Sequence, residues 1–220
     1  MDLSSFSPAL IIVTVVSLAL APFVAVMVTS FTKIVVVLSL LRNALGLQQV
    51  PPNVVLNGLA IILSIYVMYP VMLDSYGAIQ QRAAAQPQQK MDVTRLIDLA
   101  SSGREPLRKF LVRHSSSAER VFFQRSAQRL LRAEQGTVGP EDFVVIVPAF
   151  TVTELTAAFQ IGFLIFLPFL VIDLIVANIL LALGMMMLSP TTVSLPFKLM
   201  LFVFVSGWAK LVHGLVLTYR

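Results

Sequence analysis

Charge is distributed along this chain in three blocks, and that distribution constrains the fold more than any other feature. Residues 3–32 and 43–73 contain no Asp, Glu, Lys or Arg, whereas residues 74–142 hold 19 of the 27 charged side chains. Residues 155–172 and 174–197 are again uncharged. Because roughly 20 apolar residues are enough to cross a bilayer as a helix, the chain divides into two apolar parts that flank a polar insert.

We predict an all-α membrane protein in which two long, kinked helical hairpins, residues 1–73 and 143–220, flank a small helical polar insert, residues 74–142. The composition supports this class: 12% of the residues are charged, against about 25% in a typical soluble domain. The candidate membrane spans are residues 9–28, 54–73, 155–172 and 191–217.

Prolines within these apolar segments indicate an assembly. Proline removes a backbone hydrogen bond and kinks a helix, and a bilayer tolerates such breaks only where other protein satisfies the freed groups. We therefore expect the helices to pack in an oligomer, although an ordinary four-span protein with kinked helices stays open. The prolines are Pro22, Pro70, Pro168 and Pro196.

The positive charges suggest a topology. Lys33 and Arg42 fall in the expected turn of the first hairpin, and short basic loops stay in the cytoplasm. We therefore predict a multi-pass membrane protein with the N-terminus and the insert on the outer side of the membrane. The start, MDLSS, lacks the basic region of a signal peptide, so we do not expect cleavage.

The insert reads as three amphipathic helices, which begin at DVTRLIDLAS, EPLRKFLVRH and SAERVFFQRS. The third is expected to end at Gly136 and has an arginine stripe formed by Arg125, Arg129 and Arg132. Because no exposed aromatic residues are interleaved with it, a solvated or neighbour-facing surface is favoured over a nucleic-acid interface.

The sequence lacks the residues and motifs that common enzymes use for catalysis. The chain has no cysteine and only two histidines, His114 and His213, and it lacks the H-E-x-x-H, G-x-S-x-G and phosphate-loop motifs. No carboxylate lies between Asp2 and Asp74, so an intramembrane aspartyl pair is excluded. We predict no enzyme, no metal site and no cofactor.

Isolated charges mark candidate sites in the second apolar part. A charge inside a membrane costs at least ~2.5 kcal/mol without a partner. If the chain turns near residue 187, Asp173 lies within a helical turn of Lys198, whereas Glu154 meets only the C-terminus. We therefore expect Asp173 to pair with Lys198 within the hairpin and consider an intrachain partner for Glu154 doubtful. A lysine from a neighbouring copy is the favoured partner, and an exposed Glu154 is the alternative.

The turn itself, LALGMMMLSP, places Met185, Met186 and Met187 between Gly184 and Pro190. Consecutive helical residues diverge by about 100°, so the three methionines cannot share one helix face. Gly184 and Pro190 favour a loop. Methionine is flexible and fills irregular gaps, which fits either a deformable seal around an axis or a buried turn filled with methionine.

Two long segments, PAFTVTELTAAFQIGF (148–163) and PFLVIDLIVANILLALGMMMLSP (168–190), resemble the signature segments of the FliP/SctR family. Its injectisome members are the R subunits of the type III secretion export apparatus. The first hairpin resembles the family too, over residues 30–60. Flagellar members begin with a signal peptide, so MDLSS favours the injectisome branch.

The resemblance implies a pentamer that forms a helical cone with two small export-gate membrane subunits, FliQ-like and FliR-like, beside other export apparatus proteins. It implies pairing of Glu154 with Lys198 of a neighbouring copy. It also implies that Met185–Met187 form the gasket of a pore that conducts unfolded polypeptides. The location that it implies is the bacterial inner membrane, with the insert on the periplasmic side. A small-solute or proton-coupled transporter that uses Glu154 and Asp173 is the alternative, and a purely structural scaffold is a further one.

Overall fold

The computed structural model describes residues 8–85, 93–130 and 137–220, and within these ranges it contains helices and no strand. The predicted all-α class is confirmed. The helices are α1 (Pro8–Val28), α2 (Phe31–Ala44), α3 (Asn53–Ala85), α4 (Val93–His114), α5 (Ser117–Leu130), α6 (Phe143–Ala182), α7 (Pro190–Phe204) and α8 (Gly207–Leu217).

The short helix α2 lies at the centre of the fold. Its apolar residues recur at spacings of three and four, which places Ile34, Val37 and Leu38 on one face, and all three are fully buried. They pack against Leu56 of α3 and Ala158 of α6. Burying one such aliphatic side chain contributes about 1.5–3 kcal/mol, so α2 holds the two apolar parts of the chain together.

Helices α3 and α6 are each long and apolar enough to cross a membrane. Two further spans are possible if the bent pairs α1–α2 and α7–α8 each count as one. The bends are 66° and 60°. The described residues thus offer two to four spans, and the sharp bend of the first pair lies at residues 29–30 rather than at Pro22.

The span predicted over residues 191–217 is not one continuous helix, because the chain bends by 60° between α7 and α8. Ser206 adopts the left-handed conformation, with φ 53° and ψ 46°. Gly207 follows directly, and a Cβ there would collide with the Phe202 ring. Hydropathy could not reveal this break, since the residues on both sides are apolar.

The insert contains two described helices where three were expected. Helix α4 runs through Pro106 without interruption, although proline removes one backbone hydrogen bond. Packing offsets that loss, because Phe110 and Leu111 are buried against Phe150 of α6. Gly103 lets α4 approach Ile79 of α3 closely. The predicted end of the third helix at residue 136, and Arg132 with it, lie outside the described residues.

The insert is anchored at both ends to the apolar parts. Helix α3 continues across residue 74, where the predicted boundary lies, and packs against α4. Helix α5 packs against α6, and the backbone N–H of Ser116 donates to Thr153 Oγ1 at 3.0 Å. The insert therefore lies on the N-terminal half of α6, far along that helix from the methionines.

Candidate functional site

The methionine loop, residues 183–189, is the tip of the hairpin formed by α6 and α7. The Met185 N–H donates to Leu180 O at 2.9 Å and the Gly184 N–H to Leu181 O at 3.0 Å. With Gly184 at φ 73°, these bonds form the Schellman motif that ends a helix. Pro190 occupies the first turn of α7, where its missing N–H costs no bond. The structure thus places Gly184 and Pro190 at the two ends of the loop.

All three methionines point away from the chain. The exposed fractions are 44% for Met185 and 79% for Met186, and Met187 is fully exposed. Leu183 and Leu188 beside them are exposed as well. Within a single chain the methionines therefore fill no gap.

A buried lysine fixes the hairpin behind the loop. Lys198 Nζ of α7 lies 2.6 Å from Asp173 Oδ2 of α6 and donates to Ala44 O, the last carbonyl of α2, at 3.3 Å. Ser194 donates to the other oxygen of Asp173. Lys198 thus joins three helices, and its charge lies at the C-terminus of α2, where the helix dipole favours a cation.

A second buried network surrounds Glu154, about 19 residues earlier on α6. Glu154 is 2% exposed. Its Oε1 accepts from Lys33 Nζ of α2 at 3.0 Å and its Oε2 accepts from the Tyr219 hydroxyl. Lys33 Nζ also lies 3.9 Å from the centre of the Tyr219 ring, a cation–π arrangement. Both carboxylate oxygens are therefore satisfied within the chain.

The insert joins this network through an aromatic cluster. The rings of Phe110 and His114 lie 6.1 Å and 5.2 Å from the ring of Tyr219. Burial, followed by the charges of Lys33 and Arg113, lowers the pKa of His114 to about 4. Burial and then the Glu154 carboxylate raise the pKa of Tyr219, so the phenol stays protonated and donates.

An intrachain partner for Glu154 was considered doubtful, and the structure contradicts that expectation with two such partners. The hairpin register compared only residues of the second apolar part, whereas Lys33 belongs to the first and lies 121 positions away. Tyr219 was missed as well, although the register had pointed Glu154 toward the C-terminus. The pairing of Glu154 with Lys198 of a neighbouring copy stays a prediction, and in one chain both groups already have partners.

The placement of Lys33 in a turn is also wrong. Lys33 is a buried residue of α2, and the turn of the first hairpin begins only after Ala44. Arg42 lies at that turn and donates to Asn53 Oδ1 at 2.6 Å and Pro51 O at 3.2 Å. Of the two basic residues on which the topology prediction was based, only Arg42 therefore lies near a loop.

Among residues 8–85, 93–130 and 137–220, no three His, Cys, Asp or Glu side chains lie close enough together to hold a metal ion. What the geometry offers is mechanical: two buried polar networks along α6 and an exposed, flexible tip.

Sequence comparisons identify the family of this chain. Residues 12–215 match the model of the FliP family. The chain is 52% identical over 213 residues to "Hypersensitivity response secretion protein HrcR" of Ralstonia nicotianae, which covers 96% of each chain. It is 49% identical over 210 residues to "Yop proteins translocation protein R" of Yersinia pestis, with 95% of each covered. It is 42% identical over 217 residues to "Virulence protein YscR" of Salmonella typhimurium, with 97% of each covered. The chain belongs to the FliP family.

Proposed function

We propose that this chain is a pore-forming subunit of the type III secretion export gate, which conducts unfolded polypeptides across the bacterial inner membrane. The names of its relatives refer to secretion and translocation, which supports a role in protein secretion. Members of the family are structural components of the secretion apparatus, and the chain is not an enzyme. The observation that carries the finer proposal is the exposed methionine loop at the tip of a hairpin fixed by buried ion pairs.

The seal follows from the properties of methionine. Its unbranched side chain has three rotatable bonds, so Met185, Met186 and Met187 of several copies can close an axis and then repack around a passing chain. Branched side chains have fewer rotamers and would fit a single diameter. Because the three methionines are exposed in one chain, burial against other copies also removes a large apolar surface from water.

The seal requires partners. We propose about five copies of this chain together with the FliQ-like and FliR-like small subunits, and the insert on the periplasmic side. Apolar surface supports this assembly: α3 and α6 expose many large apolar side chains in the single chain. Lipid or neighbouring helices must cover them.

A transporter that moves protons or small solutes through Glu154 and Asp173 is less well supported. Each carboxylate is bound by a lysine and a hydroxyl group of its own chain. Glu154 is bound by Lys33 and Tyr219. Asp173 is bound by Lys198 and Ser194. A carrier group must exchange its proton or ligand in each cycle, and these partners oppose that exchange.

Site-specific photocrosslinking in membranes tests the conduit directly. A photoreactive residue at Met187 should crosslink to a secreted protein that is stalled in transit by a folded fusion domain. The matched control is Val54, which is also highly exposed but lies at the start of α3. Crosslinking from Val54 and not from Met187 would contradict the proposal. A scaffold predicts no crosslink from either position.

A further inference from the structure

One face of helix α5 is not covered by the rest of the chain. Exposed residues recur along it at steps of four, three and four, which places them on one line of the helix. Phe123 and Ala127, on the opposite side of α5, are only partly exposed, because that side packs against α6. The α5 face carries two apolar side chains followed by two arginines: Ala118, Phe122, Arg125 and Arg129.

A face with the same spacing lies on α3, where the insert begins. Its members recur at steps of four, three and four, and Leu73 and Tyr76 are 52% and 61% exposed. The Gln80 amide N–H donates to the Tyr76 hydroxyl at 2.7 Å, and among the described residues nothing donates to its carbonyl oxygen. Pro70 does not divide this face, because α3 is continuous and only the first member precedes the proline. The α3 face consists of Tyr69, Leu73, Tyr76 and Gln80.

Helix α4 relates the height of α3 to that of α6. It runs antiparallel to α3, because Gly103 lies against Ile79, whereas Phe110, later in α4, packs with Met68, earlier in α3. The Phe110 ring also lies 5.8 Å from the ring of Phe150 of α6. Met68 and Phe150 are therefore at one height.

Helix α5 returns along α6 to this height. Thr153 of α6 binds the backbone N–H of Ser116, which follows α4, so α6 runs in the direction of α4. Further along the chain, Gln124 of α5 donates to Val138 O, which precedes α6, so α5 is antiparallel to α6 and parallel to α3. The α5 face and the α3 face thus lie at one height and run in one direction, with α4 and α6 between them.

We propose that the α5 face of each copy packs against the α3 face of the next copy, head to tail around the pore. This inference rests on the proposed function, because it assumes several copies about one axis. Rotation about that axis keeps the height and the direction of both faces, and a small rise per copy shifts them only slightly. Because two different surfaces meet in each interface, the contact can continue around a ring or a spiral.

The chemistry of the two faces is complementary. An arginine has five N–H donors and no acceptor, and its planar guanidinium stacks on aromatic rings. With the two faces aligned, Arg125 lies over the ring of Tyr76, and Arg129 reaches the carbonyl oxygen at the end of the α3 face. Phe122 and Leu73 then bury apolar surface against each other.

A second copy covers these faces better than lipid headgroups do. Each face is 11 residues long, which is about 16 Å at 1.5 Å per residue. The headgroup layer on one side of a bilayer is only about 5–7 Å deep. Polar groups stand at both ends of the α3 face, at Tyr69 and Gln80, so this face extends beyond the layer.

Disulfide trapping tests the interface, and the chain has no native cysteine. Leu73→Cys and Phe122→Cys are introduced together into the full chain, which is expressed with the other export subunits. Each copy then offers one cysteine to each neighbour, so oxidation should link the copies into a ladder of two, three and more monomer masses. The matched control combines Phe122→Cys with Ile62→Cys, which is exposed on α3 but lies about 16 Å along the helix from Leu73, beyond the reach of a disulfide.

The result that overturns the inference is an assembled complex in which Leu73→Cys/Phe122→Cys gives no more ladder than the control. Either single variant should stay monomeric on denaturing gels, and a dimer of equal yield from one of them would also overturn it, since the same face would then lie on both sides. Native gels of the unaltered protein test the proposed function separately: a monomer in the presence of its partners would refute the oligomeric pore itself.

An exchange of charge separates a neighbouring copy from lipid. Arg125→Glu should weaken the oligomer on native gels, because it removes the cation from the ring of Tyr76. Addition of Tyr76→Lys in the same chain should restore the oligomer, because opposite charges of two copies then meet. If Tyr76→Lys restores nothing, Arg125 faces lipid or another surface, and the proposal fails.

Discussion

The two ends of helix α6 are built on opposite principles. Around Glu154 both carboxylate oxygens are paired, one with the buried Lys33 and the other with the partly buried Tyr219, and the core residue Ala158 lies one turn along the helix. At the other end the helix leads into the methionine loop, where Met187 touches nothing in its own chain. The contrast shows that one end fixes its geometry within the chain, while the side chains at the other end find no partner in it. Under the proposed function, other copies provide those partners.

The buried pair contributes more to specificity than to stability. Desolvation of two charges can cost as much as their attraction returns, but loss of one partner leaves a buried charge unpaired. Lys33 and Glu154 therefore fix the register of α2 against α6, and through Tyr219 they also fix the C-terminus and the insert. Because the methionine loop follows α6 directly, the fixed position of α6 also determines where the loop lies.

The largest expected effect is that of Glu154→Ala. It leaves Lys33 buried without a carboxylate and should cost about 3–5 kcal/mol of stability, measured as thermal or denaturant unfolding of the purified protein in detergent. The double variant Lys33→Met/Glu154→Leu removes both charges and should recover most of the loss. Equal losses in the single and the double variant would show that the charges are not a pair.

Asp173→Ala should lower the stability less, by about 2–3 kcal/mol. Asp173 is partly exposed, and Lys198 can still donate its hydrogen bond to the Ala44 carbonyl. The matched control is Ser194→Ala, which removes one hydrogen bond to the same carboxylate and should cost about 1 kcal/mol. Both are measured by the same unfolding assay. A larger loss for Ser194→Ala than for Asp173→Ala would contradict the role given to Lys198.

Acid should loosen the attachment of the insert. The pKa of His114 is about 4 in the fold against 6.5 unperturbed, so the unfolded chain binds the proton first. His114 therefore supports full stability above about pH 6.5, and its contribution falls between pH 6.5 and 4. Since His114 is only half-buried, we expect a loss of about 1–2 kcal/mol.

The control for this pH dependence is His114→Phe, which keeps an aromatic ring beside Phe110 and Tyr219 and cannot titrate. Lys33 and Arg113, the cations that act on His114, stay charged across this range. The difference between the two unfolding curves from pH 7 to 4 isolates the histidine. Parallel curves would show that His114 is not the titrating group.

The smallest effect on stability is expected at the tip. Replacement of Met185, Met186 and Met187 by alanine removes exposed side chains, and exposed substitutions usually change stability by less than about 0.5 kcal/mol. Unfolding of the isolated chain should therefore not change. A destabilisation comparable to that of Asp173→Ala would mean that the loop packs within its own chain.

The sequence predicted the features that depend on local chemistry. Apolar run lengths gave the helical class, and Gly184 and Pro190 bracketed the loop because one supplies a positive φ and the other a helix start. The Lys33–Glu154 pair could not be predicted, because its members belong to different apolar parts and only the packing of α2 on α6 brings them together. The break at Ser206 was missed because the helices on both sides of it are apolar, so hydropathy gives no signal there.

Ion conductance of vesicles that contain the assembled export gate tests the central claim most directly. With Met185, Met186 and Met187 all changed to alanine, we expect native gels to show an intact assembly and the vesicles to leak ions. The control variant Val203→Ala/Phe204→Ala removes exposed apolar side chains elsewhere on the same hairpin and should stay tight. An assembled gate that stays tight without its methionines, or a control that leaks equally, would contradict the account.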